Sequence, residues 1–176
     1  MNPAPPPCKQ RTCVGARDER RVDAGLRGPD TLAWTRRLDA EMPNIHAALA
    51  RCRHADPAAY TQIVGGIFWY WYRRGHVDEG LRMLRPALTV ADDPGIPVAD
   101  RLRALCGALV IAYLAGDLDV LRDSMGRLDA TLSSAPLDMT SRDDRLAHAD
   151  AAVTGILPGW CRCGRVRHRP GSRRLV

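Results

Sequence analysis

The sequence predicts an all-α fold built of antiparallel helix pairs, and three observations carry that expectation. Apolar residues at Tyr60, Ile63, Val64, Ile67, Phe68 and Trp71 follow the i, i+3, i+4 series of one helix face. The same series returns 42 residues later at Leu102, Leu105, Cys106, Leu109, Val110 and Tyr113. Each series ends at a glycine, Gly75 or Gly116, and a second apolar series follows at once, so a helix, a tight turn and a helix occur twice.

Taken in order, residues 1–25 show no periodicity and hold four prolines in the first seven positions, so a disordered lead-in is expected. Gly28-Pro29-Asp30 marks a boundary. Trp34, Leu38, Ile45 and Leu49 then define a first helix, with a kink or break expected at Pro43 because proline removes an amide donor and disfavours α geometry in the residue before it. Asp56-Pro57 is an N-cap acceptor followed by a proline suited to the first helical position, and it opens the central aromatic helix. Arg73-Arg74-Gly75 closes that helix, with cations at the negative end of its dipole and glycine in the left-handed cap. Gly65 and Gly66 inside it each cost about 1 kcal/mol relative to alanine, a cost that close packing of a neighbour offsets.

Val77, Leu81, Leu84, Leu88 and Ala91 give the next helix, bent at Pro86. Asp92-Asp93-Pro94-Gly95 is a loop, and behind Gly116 the residues Leu118, Leu121, Met125, Leu128 and Leu132 complete the second pair. Ser141 and Asp144 suggest a cap for a last helix running through Leu146, Ala149 and Val153. The folded domain is thus expected over residues 26–157, with a basic, disordered tail at 158–176. Two pairs are few for a stacked array, so marginal stability or self-association through the last helix is expected.

The formal net charge of +6 invites a nucleic-acid reading, but its distribution narrows it. Without the tail residues Arg162, Arg165, Arg167, Arg169, Arg173 and Arg174, 20 basic residues face 20 acids. Those six arginines are the candidate phosphate contacts, and with no scaffold around them they imply weak, non-specific binding. The first residues lack the apolar core of an export signal, and Cys52 and Cys106 lie on apolar helix faces, so a reduced, cytoplasmic protein is expected. The longest apolar run, Ile63 to Tyr72, is half the length of a membrane span.

No catalytic constellation emerges, and the expectation is a protein with no enzyme activity, cofactor or metal. Cys161, Cys163 and His168 are poorly spaced for zinc, and a fourth ligand would have to come from elsewhere, such as Cys8 or Cys13. His46 and His54 have no paired carboxylate at helical spacing that would build an acid–base pair, and His76, which follows the turn glycine, is expected to be structural or exposed. Trp34, Phe68, Trp69, Trp71, Tyr72 and Gly75 form the candidate structural hub, with Trp69, Trp71 and Tyr72 set against Trp34 and the third helix. A small-ligand pocket at these rings is the alternative use.

Two segments, LRGPDTLAWTRRLDAEMPNIHAALA (Leu26 to Ala50) and FWYWYRRGHVDEGLRMLRPAL (Phe68 to Leu88), resemble the helical region that follows the ATPase core in large bacterial transcription regulators of the LuxR and SARP (AfsR-like) classes. The likeness extends loosely over Leu102 to Leu132. It implies a tetratricopeptide-like helical repeat whose partner is another protein or the rest of a larger regulator. The chain has no G-x-x-x-x-G-K-[ST] phosphate loop and no helix-turn-helix with a solvent-facing recognition helix, so neither nucleotide chemistry nor specific DNA reading transfers. With 25 arginines and one lysine, and with the helical pattern ending near Gly155, the chain is expected to be a truncated or frame-shifted fragment. The coding DNA tests this: the other reading frames past codon 155 must continue the helical pattern.

Overall fold

The computed structural model describes residues 22–134, 138, 140–141 and 144–151. Over these it is all-α, with seven helices packed against one another and no strand among the described residues. Helix α1 covers 22–27, α2 Thr31–Ala55, α3 Pro57–Arg74, α4 Val77–Thr89, α5 Val98–Ala115, α6 Leu118–Ser134 and α7 144–151. The expectations for residues 1–21, for the tail with its six arginines, and for Cys161, Cys163 and His168 lie outside the described residues.

Local signals act where the sequence has them. The Asp56 side chain accepts from the Ala59 amide at 3.0 Å and Pro57 opens α3. Gly75 adopts φ 70° and Gly116 φ 70°, both left-handed. The hydrogen bonds around the two turns are matched: Gly75 N to Tyr72 O at 3.3 Å and His76 N to Trp71 O at 3.0 Å, against Gly116 N to Tyr113 O at 3.3 Å and Asp117 N to Ala112 O at 3.0 Å. These bonds satisfy carbonyls that each helix end leaves without an intrahelical donor. A Cβ at either glycine meets nothing within 4 Å, so only backbone conformation opposes a side chain there. G75A and G116A are therefore each expected to cost about 1 kcal/mol, equally within error, in urea denaturation followed by circular dichroism.

Neither internal proline breaks its helix. Pro43 sits inside an unbroken α2. Its ring is on the exposed side of the helix, and buried Leu38, Met42 and Leu49 clamp both flanks, so packing outweighs the one lost hydrogen bond. Pro86 likewise lies within a continuous α4. The lead-in also ends earlier than residue 25, because 22–27 are helical and Leu26 is fully buried.

The packing centre is α5 more than α3. Every residue from Leu102 to Ala112 is buried, and α5 packs on α3, α4 and α6. Large rings mark α3 in the sequence, but α5 carries small and apolar residues on all faces, which lets neighbours close in from every side. At the α3–α5 crossing a Cβ on Gly65 would lie 3.1 Å from the Ala104 amide nitrogen, and one on Gly107 would lie 2.8 Å from Phe68 Cβ. Each helix thus leaves room for the other's bulk, which offsets the propensity cost of Gly65. The two glycine turns, 41 residues apart in the sequence, have the same backbone bonding. Their hydrogen bonds correspond at a shift of 41, so buried Trp71 matches buried Ala112, and exposed Tyr72 matches exposed Tyr113.

Candidate functional site

Successive residues of a helix point about 100° apart, and the aromatic run of α3 uses that to reach different neighbours. Phe68 faces Gly107 of α5. Trp69 lies under the Arg27 guanidinium at 5.2 Å and meets Tyr72 edge-on at 5.2 Å. Tyr70 donates to Asp39 Oδ1 of α2 at 2.9 Å. Trp71, fully buried, fills the space over Gly80 of α4, where an added Cβ would come within 2.9 Å of its own Cβ. Trp34 rests on Gly25 of α1 with Arg37 stacked at 5.3 Å. The predicted hub residues are therefore seams to α1, α2, α4 and α5. Only Tyr72 and Gly75 remain exposed.

Two polar clusters accompany these seams. Where α2 crosses the Gly75 turn, Asp39 takes Arg74 through both carboxylate oxygens, at 3.0 and 2.7 Å, besides the Tyr70 hydroxyl. Two helix turns further on, His46 Nε2 lies 2.6 Å from Glu79 Oε1, and His76 Nδ1 lies 3.6 Å from Glu79 Oε2. Burial, then the bond to Asp39, pushes the Tyr70 hydroxyl above the ordinary tyrosine range. The sequence reading missed this pairing because its members are 31 to 35 residues apart. Its legible trace is Asp39 and His46, seven residues apart on one face of α2. The arrangement tethers α2 to the α3–α4 turn. Among the described residues no group of three His, Cys, Asp or Glu side chains is placed to hold a metal ion.

The second cluster is more deeply buried and joins the two ends of the domain. Arg27 of α1 donates from Nε to Asp23 at 3.0 Å and grips Asp150 of α7 with Nη1 and Nη2. Both carboxylate residues are 5% exposed. Burial pushes the Asp23 carboxyl up, Arg27 pulls it down, and the nearby Asp150 charge adds to the rise. A carboxyl whose folded value exceeds its unfolded one costs stability as pH rises through that interval. D23N is therefore expected to raise the melting temperature at pH 7, with the advantage over wild type shrinking as pH falls toward 4, measured by calorimetry across that range.

Helix α7 turns a carboxylate inward among its described residues. Ala147, Asp150 and Ala151 are buried, whereas Ala149 is exposed and Leu146 half-buried. The demand of Arg27 for a carboxylate turns Asp150 inward and sets the helix rotation. Beside the start of α7 lies a cavity of about 390 Å³, lined by Gln62, Asp100, Arg103 and Asp144 among others and by none of the aromatic run. At the opposite, turn-bearing ends of the pairs, Tyr72, Tyr113, Leu114 and Leu118 are 42%, 53%, 47% and 55% exposed.

No helix among the described residues is long and apolar enough to cross a membrane. Compared with known protein families, characterised proteins and solved structures, the chain matches none of them.

Proposed function

We propose that this chain is a non-catalytic regulatory interaction module of stacked, tetratricopeptide-like helix pairs, belonging to an ATPase-type bacterial transcription regulator of the LuxR or SARP kind. The observation that carries this reading is the matched pair of glycine turns, with α5 seated on both helices of the preceding pair. Stacking of that kind buries one side of each pair and leaves an edge for a further unit or a partner. Tyr113, Leu114 and Leu118 form such an apolar edge. The aromatic rings support ligand sensing less well, because Phe68 and Trp71 are wholly enclosed by neighbouring helices.

A photo-crosslinking residue placed at Tyr113 in cells tests the module. A discrete protein adduct, lost in L118D and absent when the probe sits at exposed Ala50 of α2, supports it, and identification of a signalling ATPase or transcription regulator in that adduct supports the family. Adducts of equal yield from both probes would sink it. The second reading, nucleic-acid binding through the arginine-rich tail, rests on Arg162, Arg165, Arg167, Arg169, Arg173 and Arg174. Replacing all six by glutamine should abolish DNA binding in a salt titration if the tail is its cause; unchanged binding removes the tail from consideration.

A further inference from the structure

Helix α6 repeats the place of α4 one pair later, but its outer face is more open and differently charged. At the shift of 41 residues set by the turns, Leu118, Arg122, Met125, Asp129 and Leu132 stand where α4 has Val77, Leu81, Leu84, Leu88 and Ala91. Helix α4 packs on both α3 and α5, and its Leu81, Leu84, Leu88 and Ala91 are buried. Helix α6 packs chiefly on α5. Its Leu118 is 55% exposed, Arg122 and Asp129 are exposed, and Met125 and Leu132 are half-buried. These five positions recur at alternating steps of four and three residues, the spacing of a seam between two helices.

Two opposite charges thus replace Leu81 and Leu88 on one flank of the seam. A further pair stacked as α5 stacks on α4 would bury both under apolar surface, at a cost in free energy. A second copy of α6, antiparallel about a two-fold axis at Met125, fits the pattern instead. It sets Leu118 against Leu132 of the second copy and Met125 against its own equivalent. Arg122 then falls within one residue of register, about 1.5 Å of helix rise, of Asp129 of the second copy. Arg122 is available for this, because its bond to Asp119 at 3.2 Å joins side chains 61% and 97% exposed, and such a surface pair contributes little. Arg127, by contrast, is turned back to the Leu88 carbonyl and Asp92.

We propose that the outer face of α6 is the interface of a homodimer, with two copies of α6 packed antiparallel and Arg122 of each paired with Asp129 of the other. The proposal rests on the interaction-module reading, because it names the partner for the edge at Tyr113, Leu114 and Leu118, which Leu118 makes continuous with the seam. One helix from each copy makes a small interface, so the dissociation constant lies at about 1–100 µM.

Sedimentation equilibrium of the full-length chain at low salt, from about 1 to 300 µM, tests this. Wild type should fit a monomer–dimer equilibrium. R122D and D129R should each weaken it at least about tenfold, since each turns two attractions into two repulsions. An equimolar mixture of R122D and D129R should recover the dimer, because the acidic flank of one copy then faces the basic flank of the other. The double variant R122D/D129R should recover it as well. Both residues are exposed, and circular dichroism verifies that each variant is folded. A chain that stays monomeric throughout, or a mixture that associates no more tightly than either variant alone, overturns the proposal. If the chain is monomeric while the Tyr113 probe still crosslinks a different protein, the dimer is wrong and the module stands. If the charge exchange holds while the Tyr113 and Ala50 probes give equal yields, the dimer stands and the module falls.

Discussion

Trp71→Ala is expected to remove about 3–5 kcal/mol of stability, the range for truncating a fully buried large aromatic residue. Trp71 is 0% exposed and stands over Gly80, so neither α3 nor α4 has a side chain able to swing into the vacated volume. Against a total of about 5–15 kcal/mol for a domain, that loss brings the fold close to its limit. The neighbouring ring supplies the control: Tyr72 is 42% exposed, and Tyr72→Ala should stay within about 0.5 kcal/mol. Trp71→Phe discriminates further. The indole Nε1 is buried with no hydrogen-bond acceptor among the described residues, so phenylalanine loses contact area but also removes a donor that burial penalises. Its cost should fall below about 1.5 kcal/mol. Urea midpoints for the three variants decide the matter, and a Trp71→Ala cost below that of Tyr72→Ala would refute the packing scheme.

The contrast between these two rings shows what could be read from the chain alone. Asp56-Pro57, Gly75 and Gly116 were legible because capping is decided within four residues, by groups that sequence places side by side. The apolar series of α5 was legible for the same reason, being periodic. The exposure of Tyr72 and Tyr113 against the burial of Trp71 was not, since all three fit a helical apolar pattern and only the turn register separates them. Helix α1 was hidden more thoroughly. Its residues carry one large apolar side chain, Leu26, and its place is set by Trp34 over Gly25 and by Asp150, which is 123 residues away from Arg27. The same distance hides the inward turn of Asp150 in α7, whose partner guanidinium belongs to α1. His46 and Glu79 are 33 residues apart, and no local rule pairs them.

Arg27→Ala should be the most damaging change at a polar residue, costing about 3–5 kcal/mol at pH 7, as removal of one member of a buried ion cluster generally does. The loss exceeds that of a surface pair because Arg27 serves two carboxylates, Asp23 and Asp150, whose residues are both 5% exposed. Alanine removes the guanidinium that the two carboxylates share. Arg27→Lys should fall between, since an ammonium keeps the charge but cannot span both oxygens of Asp150 while holding Asp23. The pH dependence separates electrostatics from lost packing. In Arg27→Ala the Asp23 carboxyl, already raised by burial, loses the cation that lowers it, so the folded state binds more protons and the deficit should shrink as pH is lowered toward 4. A cavity defect would be indifferent to pH. Replacing all three groups by apolar residues of similar volume, as in D23L/R27M/D150L, removes the charges together and should restore stability to wild type or above. If Arg27→Ala and the triple variant melt alike, or if the deficit does not respond to pH, the cluster holds the ends of the domain by shape and not by charge.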